Sequence, residues 1–219
     1  VLTFEDVGLG RGNADYRETW ALQRAIHEEV ADGRRPGHVL LVEHSPVYTA
    51  GRRTTDEMRP RDGTPVVDVD RGGLITYHGP GQLVGYPIVR LADGMGVVDH
   101  VRRLEEAVIA LLADYGIHAG RVVGRTGVWL PATAHRLERK ICAIGVRVSR
   151  RTTMHGFALN VLSSAERFGN IIPCGISDAD VTSIVEEIPG PWTVQGVADD
   201  LRPHLARTLD YANWRPTTD

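Results

Sequence analysis

The stretch KICAIGVRVSRRTTMHGFALNV, residues 140–161, decides how the fold is read. Residues 140–148 and 154–161 are both dense in β-branched and apolar side chains, which suit a pleated and largely buried surface. Too little chain separates them for a helical crossover, so they read as antiparallel neighbours joined by a turn. Further β-rich segments lie at 38–44 (HVLLVEH), 65–70 (PVVDVD), 74–78 (LITYH), 83–89 (LVGYPIV) and 127–130 (GVWL). Three amphipathic helices frame them. Leu22, Ile26 and Val30 recur on one stripe over 14–31, and Val101, Leu104, Val108, Leu111 and Tyr115 over 97–115. A third, over 194–211, carries Val197, Leu201, Leu205 and Leu209, with Pro203 weakening its middle. The order lacks the regular βαβ alternation of a dinucleotide fold. It predicts an α/β chain of the α+β kind, a mixed and largely antiparallel sheet packed with helices, in one domain spanning 1–219.

Composition narrows the function. At 219 residues, 42% apolar and 24% charged, the chain is that of an ordinary globular protein. No apolar run approaches the ~18 residues of a membrane span, and VLTFEDVGLG at the start does not read as a secretory signal. A net charge of −3 and a pI near 6.3 lack the broad basic footprint of a nucleic-acid binder. Two cysteines, Cys142 and Cys174, then read as reduced thiols in a cytoplasm. Nine histidines include no His-x-x-x-His or Cys-x-x-Cys spacing, so no metal is expected, and there is no Gly-x-Ser-x-Gly elbow. Arginines cluster at 34–35, 52–61, 102–103 and 150–151. The pair Arg150 and Arg151, at the end of the 140–148 strand, is a candidate dock for a small acidic protein.

Of the 25 cationic side chains, one is a lysine, Lys140. A guanidinium keeps its proton at any physiological pH, whereas a desolvated ammonium can release one. Strand alternation places Lys140, Cys142, Ile144, Val146 and Val148 on one face, so the amine shares an apolar row that would lower its pKa. A thiol is the group such a base could ionise. A cation about 4 Å away at an effective dielectric of about 20 favours thiolate by roughly 4 kcal/mol, or about three pKa units. Cys142 lies two residues along the same face, in an apolar run that suits an inert buried thiol. Cys174 lies in NIIPCGIS, where proline and glycine suit a sharp loop presenting sulfur beside backbone N–H groups. Local context favours Cys174. The glycine-rich RGGLITYHGPGQLVGYP (71–87) departs from the dinucleotide fingerprint and instead lets backbone approach a ligand or strand closely, with Arg71, Tyr77 and His78 as polar contacts.

Together EHSPVYTAGRR (43–53), RGGLITYHGPGQLVGYP (71–87), RKICAIGVRVSR (139–150), HGFALNV (155–161) and IIPCGI (171–176) resemble the lipoyl(octanoyl) transferase family of lipoate biosynthesis. Position 142 is more often a small residue such as alanine in this pattern. The resemblance implies a fold related to biotin and lipoate protein ligases. It also implies transfer of octanoyl from acyl carrier protein to a lysine of lipoyl domains, in 2-oxoacid dehydrogenase complexes and the glycine-cleavage H protein, as the first step of de novo lipoylation. Catalysis falls on Cys174 as the thioester-forming nucleophile and Lys140 as its activator. Substrate contacts fall on Arg71, Gly72, Gly73, Leu74, Ile75, Thr76, Tyr77 and His78, on Ala143, Ile144 and Gly145, and on Gly156, Phe157 and Ala158. Since the thioester stores the energy, neither ATP nor another cofactor is expected. The rival readings are an ATP-dependent lipoate or biotin ligase, which needs the lysine without the cysteine, and a non-catalytic lipoyl-domain binding module, which needs neither.

Overall fold

The computed structural model describes residues 2–60, 63–163, 179–211 and 214. In chain order the elements are β1 (Thr3–Val7), α1 (Tyr16–Ala31), β2 (His38–Val42), β3 (Val47–Ala50), a 3-10 turn (Asp56–Met58), β4 (Val66–Asp68), β5 (Thr76–His78), β6 (Gln82–Ile88) and α2 (Val97–Asp114). There follow β7 (Gly120–Val122), β8 (Arg125–Leu130), β9 (Arg139–Ser149), β10 (Thr152–Asn160), β11 (Asp180–Val181), α3 (Ile184–Glu187) and α4 (Val194–Thr208).

β9 and β10 pair antiparallel from Ser149↔Thr152 to Cys142↔Leu159. Their two-residue turn, Arg150 and Arg151, has φ of +51° and +58°, the mirror-image geometry that matches strand twist. Non-glycine residues there cost about 1–2 kcal/mol each, which the long ladder offsets. Around this hairpin the large sheet runs β1-β2-β6-β10-β9-β8-β7. β11 lies parallel to β9 beside Arg139 and Lys140, beyond the point where the β10 ladder stops. A second sheet, β4-β3-β5, stands apart. The β1–β2, β3–β4 and β9–β11 pairs are parallel and the others antiparallel, which gives the mixed sheet that the sequence predicts.

The helices cover both faces. On one, Leu104, Val108, Leu111 and Leu112 of α2 and Val197, Leu201 and Leu205 of α4 form a core with Cys142, Phe157 and Leu159. On the other, Ile26 and Val30 of α1 pack with Leu40, Val42, Val84, Tyr86, Ile88 and Ala158. Burial of these stripes sets helix lengths close to the periodicity reading, and Asp15 caps α1 by accepting from Glu18 N at 2.9 Å. α4 continues through Pro203, whose cost of ~3 kcal/mol is offset by the buried Val197, Leu201 and Leu205 on either side of it. It stops at Thr208, short of 211. Strands β1, β3, β7 and β11 have no counterpart in the sequence reading. β1 (TFEDV) is a largely exposed acidic edge, and β7, β3 and β11 are too short for any periodicity.

Where β6 and β10 cross, a Cβ on Gly156 would collide with the Gly85 carbonyl oxygen and Pro87. Gly156→Ala is therefore expected to cost about 1–3 kcal/mol as overpacking, read as a lowered urea midpoint. Gly120→Ala, with no neighbouring atom within 4 Å, should stay within about 0.5 kcal/mol.

Candidate active site

The middle of the β9–β10 hairpin, β6 and the 71–76 segment line a half-open cavity. Leu74, Val84, Ala143, Ile144, Phe157 and Ala158 supply apolar wall, while Tyr16, His78, Tyr86 and His155 supply the polar part. Phe157 reaches across β6 because Gly85 has no side chain in the place its ring occupies. Gly73, Leu74, Ile144 and Gly145 also line a second, wider groove, so the two share a wall. Lys140 stands in that groove.

Most of the polar part is partnered, although the buried Nδ1 of His155 has no hydrogen-bond partner among the described residues. His44 donates from Nδ1 to Ala14 O (3.1 Å), and its Nε2 accepts from the Tyr86 hydroxyl (2.8 Å). His78 donates from Nδ1 to Gln82 Oε1 (2.8 Å), which is oriented by the donation of Gln82 Nε2 to Tyr77 O and Asn160 Oδ1. The Tyr16 ring stacks on His78 at 6.1 Å between centroids and 7° between planes. Burial pushes His44 down to about 4 and His78 down to about 3, so both rings are neutral and hydrogen-bond as such. Burial likewise raises Tyr16 to about 12. His155, held at φ +57°, donates from Nε2 to Asp70 at 2.8 Å.

Arg71 closes the upper wall. Its guanidinium donates to Gly72 O (3.0 Å), Leu74 O (2.8 Å), Thr49 O (2.8 Å) and Thr49 Oγ1 (2.9 Å). The loop it shapes docks on the sheet through Gly72 N to Val146 O at 3.1 Å.

Lys140 is half-buried, and its Nζ lies 4.6 Å from the centroid of the buried Trp129 ring. A bulge at Ile141 of β9 makes this placement, since Val128 pairs with Cys142 but the next residue, Trp129, pairs with Lys140. Gly127, at φ +112°, lies just before this register shift, and a Cβ there would strike the Cys142 carbonyl oxygen. The fully buried Glu105 of α2 accepts from Gly127 N at 3.1 Å while paired to Arg121 (2.9 Å) and Arg102 (2.7 Å). On the other side, Arg139 grips Glu187 through two bonds of 2.8 and 2.7 Å, and Thr182 N donates to Lys140 O at 3.0 Å.

A protein-family model, the lipoyl protein ligase A/B catalytic domain, matches residues 15–206. The chain belongs to that family. Within it, the chain is 55% identical over 228 residues to the octanoyltransferase of Cutibacterium acnes, covering 100% of this chain and 84% of that one. It is 56% identical over 202 residues to the octanoyltransferase of Mycobacterium tuberculosis, covering 91% and 85%. Among solved structures, the putative lipoate protein ligase of T. acidophilum superimposes with a TM-score of 0.70 at 17% identity, over 95% of this chain and 84% of that one. Lipoate-protein ligase A bound with ATP gives 0.69 at 16% identity, over 95% and 84%. The fold is thus that of lipoate ligases, and the enzyme is an acyltransferase of the octanoyltransferase kind.

In this octanoyltransferase-family enzyme, Arg71, Gly73, Leu74, Thr76, His78, Ala143, Ile144, Gly145, Gly156, Phe157 and Ala158 meet around one cavity. Gly72 borders the wider groove. Ile75 and Tyr77 instead pack with Tyr48 in a separate small core, because β5 alternates and turns these side chains away. Arg71 lines the cavity, but its terminal nitrogens hold the protein's own carbonyls. Cys174 lies outside the described residues. Cys142 is a free thiol with no exposure, and burial pushes its pKa well up. Tyr16, Val84, Tyr86 and His155 also line the cavity, unforeseen from the sequence. Tyr86 and His155 stand inside the stretches 71–87 and 155–161, which was their available signal; Tyr16 had none.

The neutral histidines make the fold acid-sensitive. An unfolded chain takes a proton on each ring near pH 6.5, which the folded chain refuses until about 4 at His44 and about 3 at His78. Both pKa values are lowered by folding, so stability falls as pH drops below 6.5, by about 1.4 kcal/mol per pH unit per ring. Urea midpoints measured from pH 7 to pH 5 should show this decline, and His44→Gln should flatten it.

Proposed function

We propose that the enzyme moves an octanoyl group from the thioester of acyl carrier protein to a lysine of a lipoyl domain, through a thioester on Cys174, with Lys140 as the proton carrier. The observation that carries this reading is the position of Lys140, which stands in a groove sharing a wall with a largely apolar cavity. An octanoyl chain with six methylenes would gain about 0.8 kcal/mol for each one buried there, roughly 5 kcal/mol in all.

In the first half-reaction, Lys140 as the free amine takes the Cys174 thiol proton. The thiolate attacks the octanoyl carbonyl, the carrier's C–S bond breaks, and the carrier leaves as a thiol after recovering that proton from Lys140. In the second, the lipoyl-domain amine attacks the acyl-enzyme, an amide forms, the Cys174 C–S bond breaks, and a proton passes through Lys140 back to sulfur. No bond needs ATP. Support for the pairing comes from chain connectivity. Val181 lies beside Lys140 in the β11–β9 pair, and Cys174 precedes Val181 by seven residues, a reach of up to about 25 Å. Cys142 is poorly suited to the role, being sealed in the core with an elevated pKa. The acceptors expected are lipoyl domains, those of 2-oxoacid dehydrogenase complexes and the glycine-cleavage H protein among them.

Intact mass after mixing with octanoyl-acyl carrier protein, without ATP, tests the reading. An octanoyl adduct is expected on the wild type and on Cys142→Ala, and none on Cys174→Ala. Lys140→Arg should form it at least about 100-fold more slowly. An adduct that persists in Cys174→Ala, or one that requires ATP, overturns the proposal.

The Trp129 ring bears on the same step. A cation over an indole gains about 0.5–2 kcal/mol, so Trp129→Leu should slow acylation by about 2- to 30-fold at saturating donor. Trp129→Phe, which keeps an aromatic face, should recover part of that rate.

A further inference from the structure

Two features of the wider groove are not used by the chemistry. Besides Lys140, its lining among the described residues includes three cations, Arg53, Arg102 and Arg125, and no Asp or Glu. Its lip is apolar: Val97 and Val98, in the first turn of α2, are 45% and 63% exposed, and Val123, next to the groove-lining Gly124, is fully exposed. Lone exposed valines mean little, but three gathered around one opening mark a contact surface. A cationic groove with an apolar lip fits an acidic protein that also offers apolar contact.

We propose that this lip, formed by Arg53, Arg102 and Arg125 with Val97, Val98 and Val123, is the docking surface of the acidic carrier that delivers the acyl thioester. The inference rests on the transfer reaction proposed above and adds where its donor binds. The donor is favoured over the acceptor because of what each must insert. An acyl carrier has to lead an eight-carbon tail into the apolar cavity, and the groove meets that cavity along Gly73, Leu74, Ile144 and Gly145. An acceptor lysine has only to bring an amine to the carbonyl.

The same geometry displaces the dock expected at Arg150 and Arg151. Those residues form the far turn of the β9–β10 hairpin, ten residues from Lys140 along an extended strand, or roughly 30 Å. Their guanidinium groups are paired with Asp32 and Asp93. Arg102 and Arg125 also have acidic partners, Glu105 and Glu138, yet both border the groove. Arg53 holds the 71–74 loop through its backbone, N to Gly73 O at 3.3 Å, and its side chain is on an exposed residue.

The double variant Arg53→Glu, Val98→Glu tests the surface, with Arg53→Gln as a milder second variant. Two single-turnover donors are compared on each protein, octanoyl-acyl carrier protein and the small uncharged thioester octanoyl-pantetheine. The ratio of carrier-driven to pantetheine-driven acylation should fall at least tenfold in the double variant and about two- to fivefold in Arg53→Gln. The salt dependence of the carrier reaction should flatten. Binding of a carrier bearing octanoyl through an unreactive amide should weaken by a similar factor, and this measurement holds even if Cys174 is not the nucleophile. Failure of the wild type to be acylated by either donor would instead count against the chemistry. Unchanged carrier affinity and salt slope, or a loss confined to transfer from pre-acylated enzyme to a lipoyl domain, would overturn the docking proposal; the second result would give the surface to the acceptor.

Discussion

The guanidinium of Arg71 holds the two halves of the site together. Four hydrogen bonds, to Gly72 O, Leu74 O and both Thr49 oxygens, tie the 71–74 loop to β3 while the residue is 7% exposed. A buried charge survives only when its donors are used in this way. Lysine could not replace it, since a single ammonium cannot span a loop and a strand with a planar fork. The loop so shaped forms the wall common to the cavity and the groove, and Gly145 opposite it has no side chain to hold it off. The arginine thus supplies shape to the site, and the chemistry is left to other groups.

The cavity joins two demands that oppose each other. An apolar chain is best held where water is absent, yet that dryness penalises any polar group nearby. The enzyme meets the second demand at His44 and His78 by keeping the rings neutral and partnering them. His44 with Tyr86 and Ala14, and His78 with Gln82, are networks of uncharged donors and acceptors. Close backbone approach does the rest, with Gly85 making room for Phe157 and Gly156 letting β10 lie against β6. The cost is a fold whose stability declines in acid.

Around Lys140 the reverse problem is solved, that of keeping a long, flexible side chain in place. The side chain lies over Trp129, and the backbone is clamped between β8 and β11. Glu105 reaches from α2 to Gly127, beside the register shift that sets Trp129 opposite Lys140, so the position of the amine is coupled to the packing of a helix far away in sequence. The Arg139–Glu187 pair secures the neighbouring residue and holds the Glu187 carboxyl down to about 2.

By itself the sequence determined the elements and the inventory of chemistry. β-rich runs at 140–148 and 154–161 marked the central hairpin, stripes such as Leu104, Val108 and Leu111 marked the helices, and a single lysine among arginines marked the candidate proton carrier. These are local signals, carried by spacing and residue type. The edge strand β1 and the short β3, β7 and β11 left too few residues for a period to show. Tertiary structure alone decided which of the named residues share a space. It turned Ile75 and Tyr77 away from the cavity, brought in Tyr16 from α1 and Val84 from β6, and set Trp129 under Lys140 through a one-residue bulge. It also placed Arg150 and Arg151 at the far end of the strand from the lysine. Those outcomes depend on register, on packing between elements distant in the chain, and on the room that a glycine leaves for its neighbour, none of which a single linear pattern records.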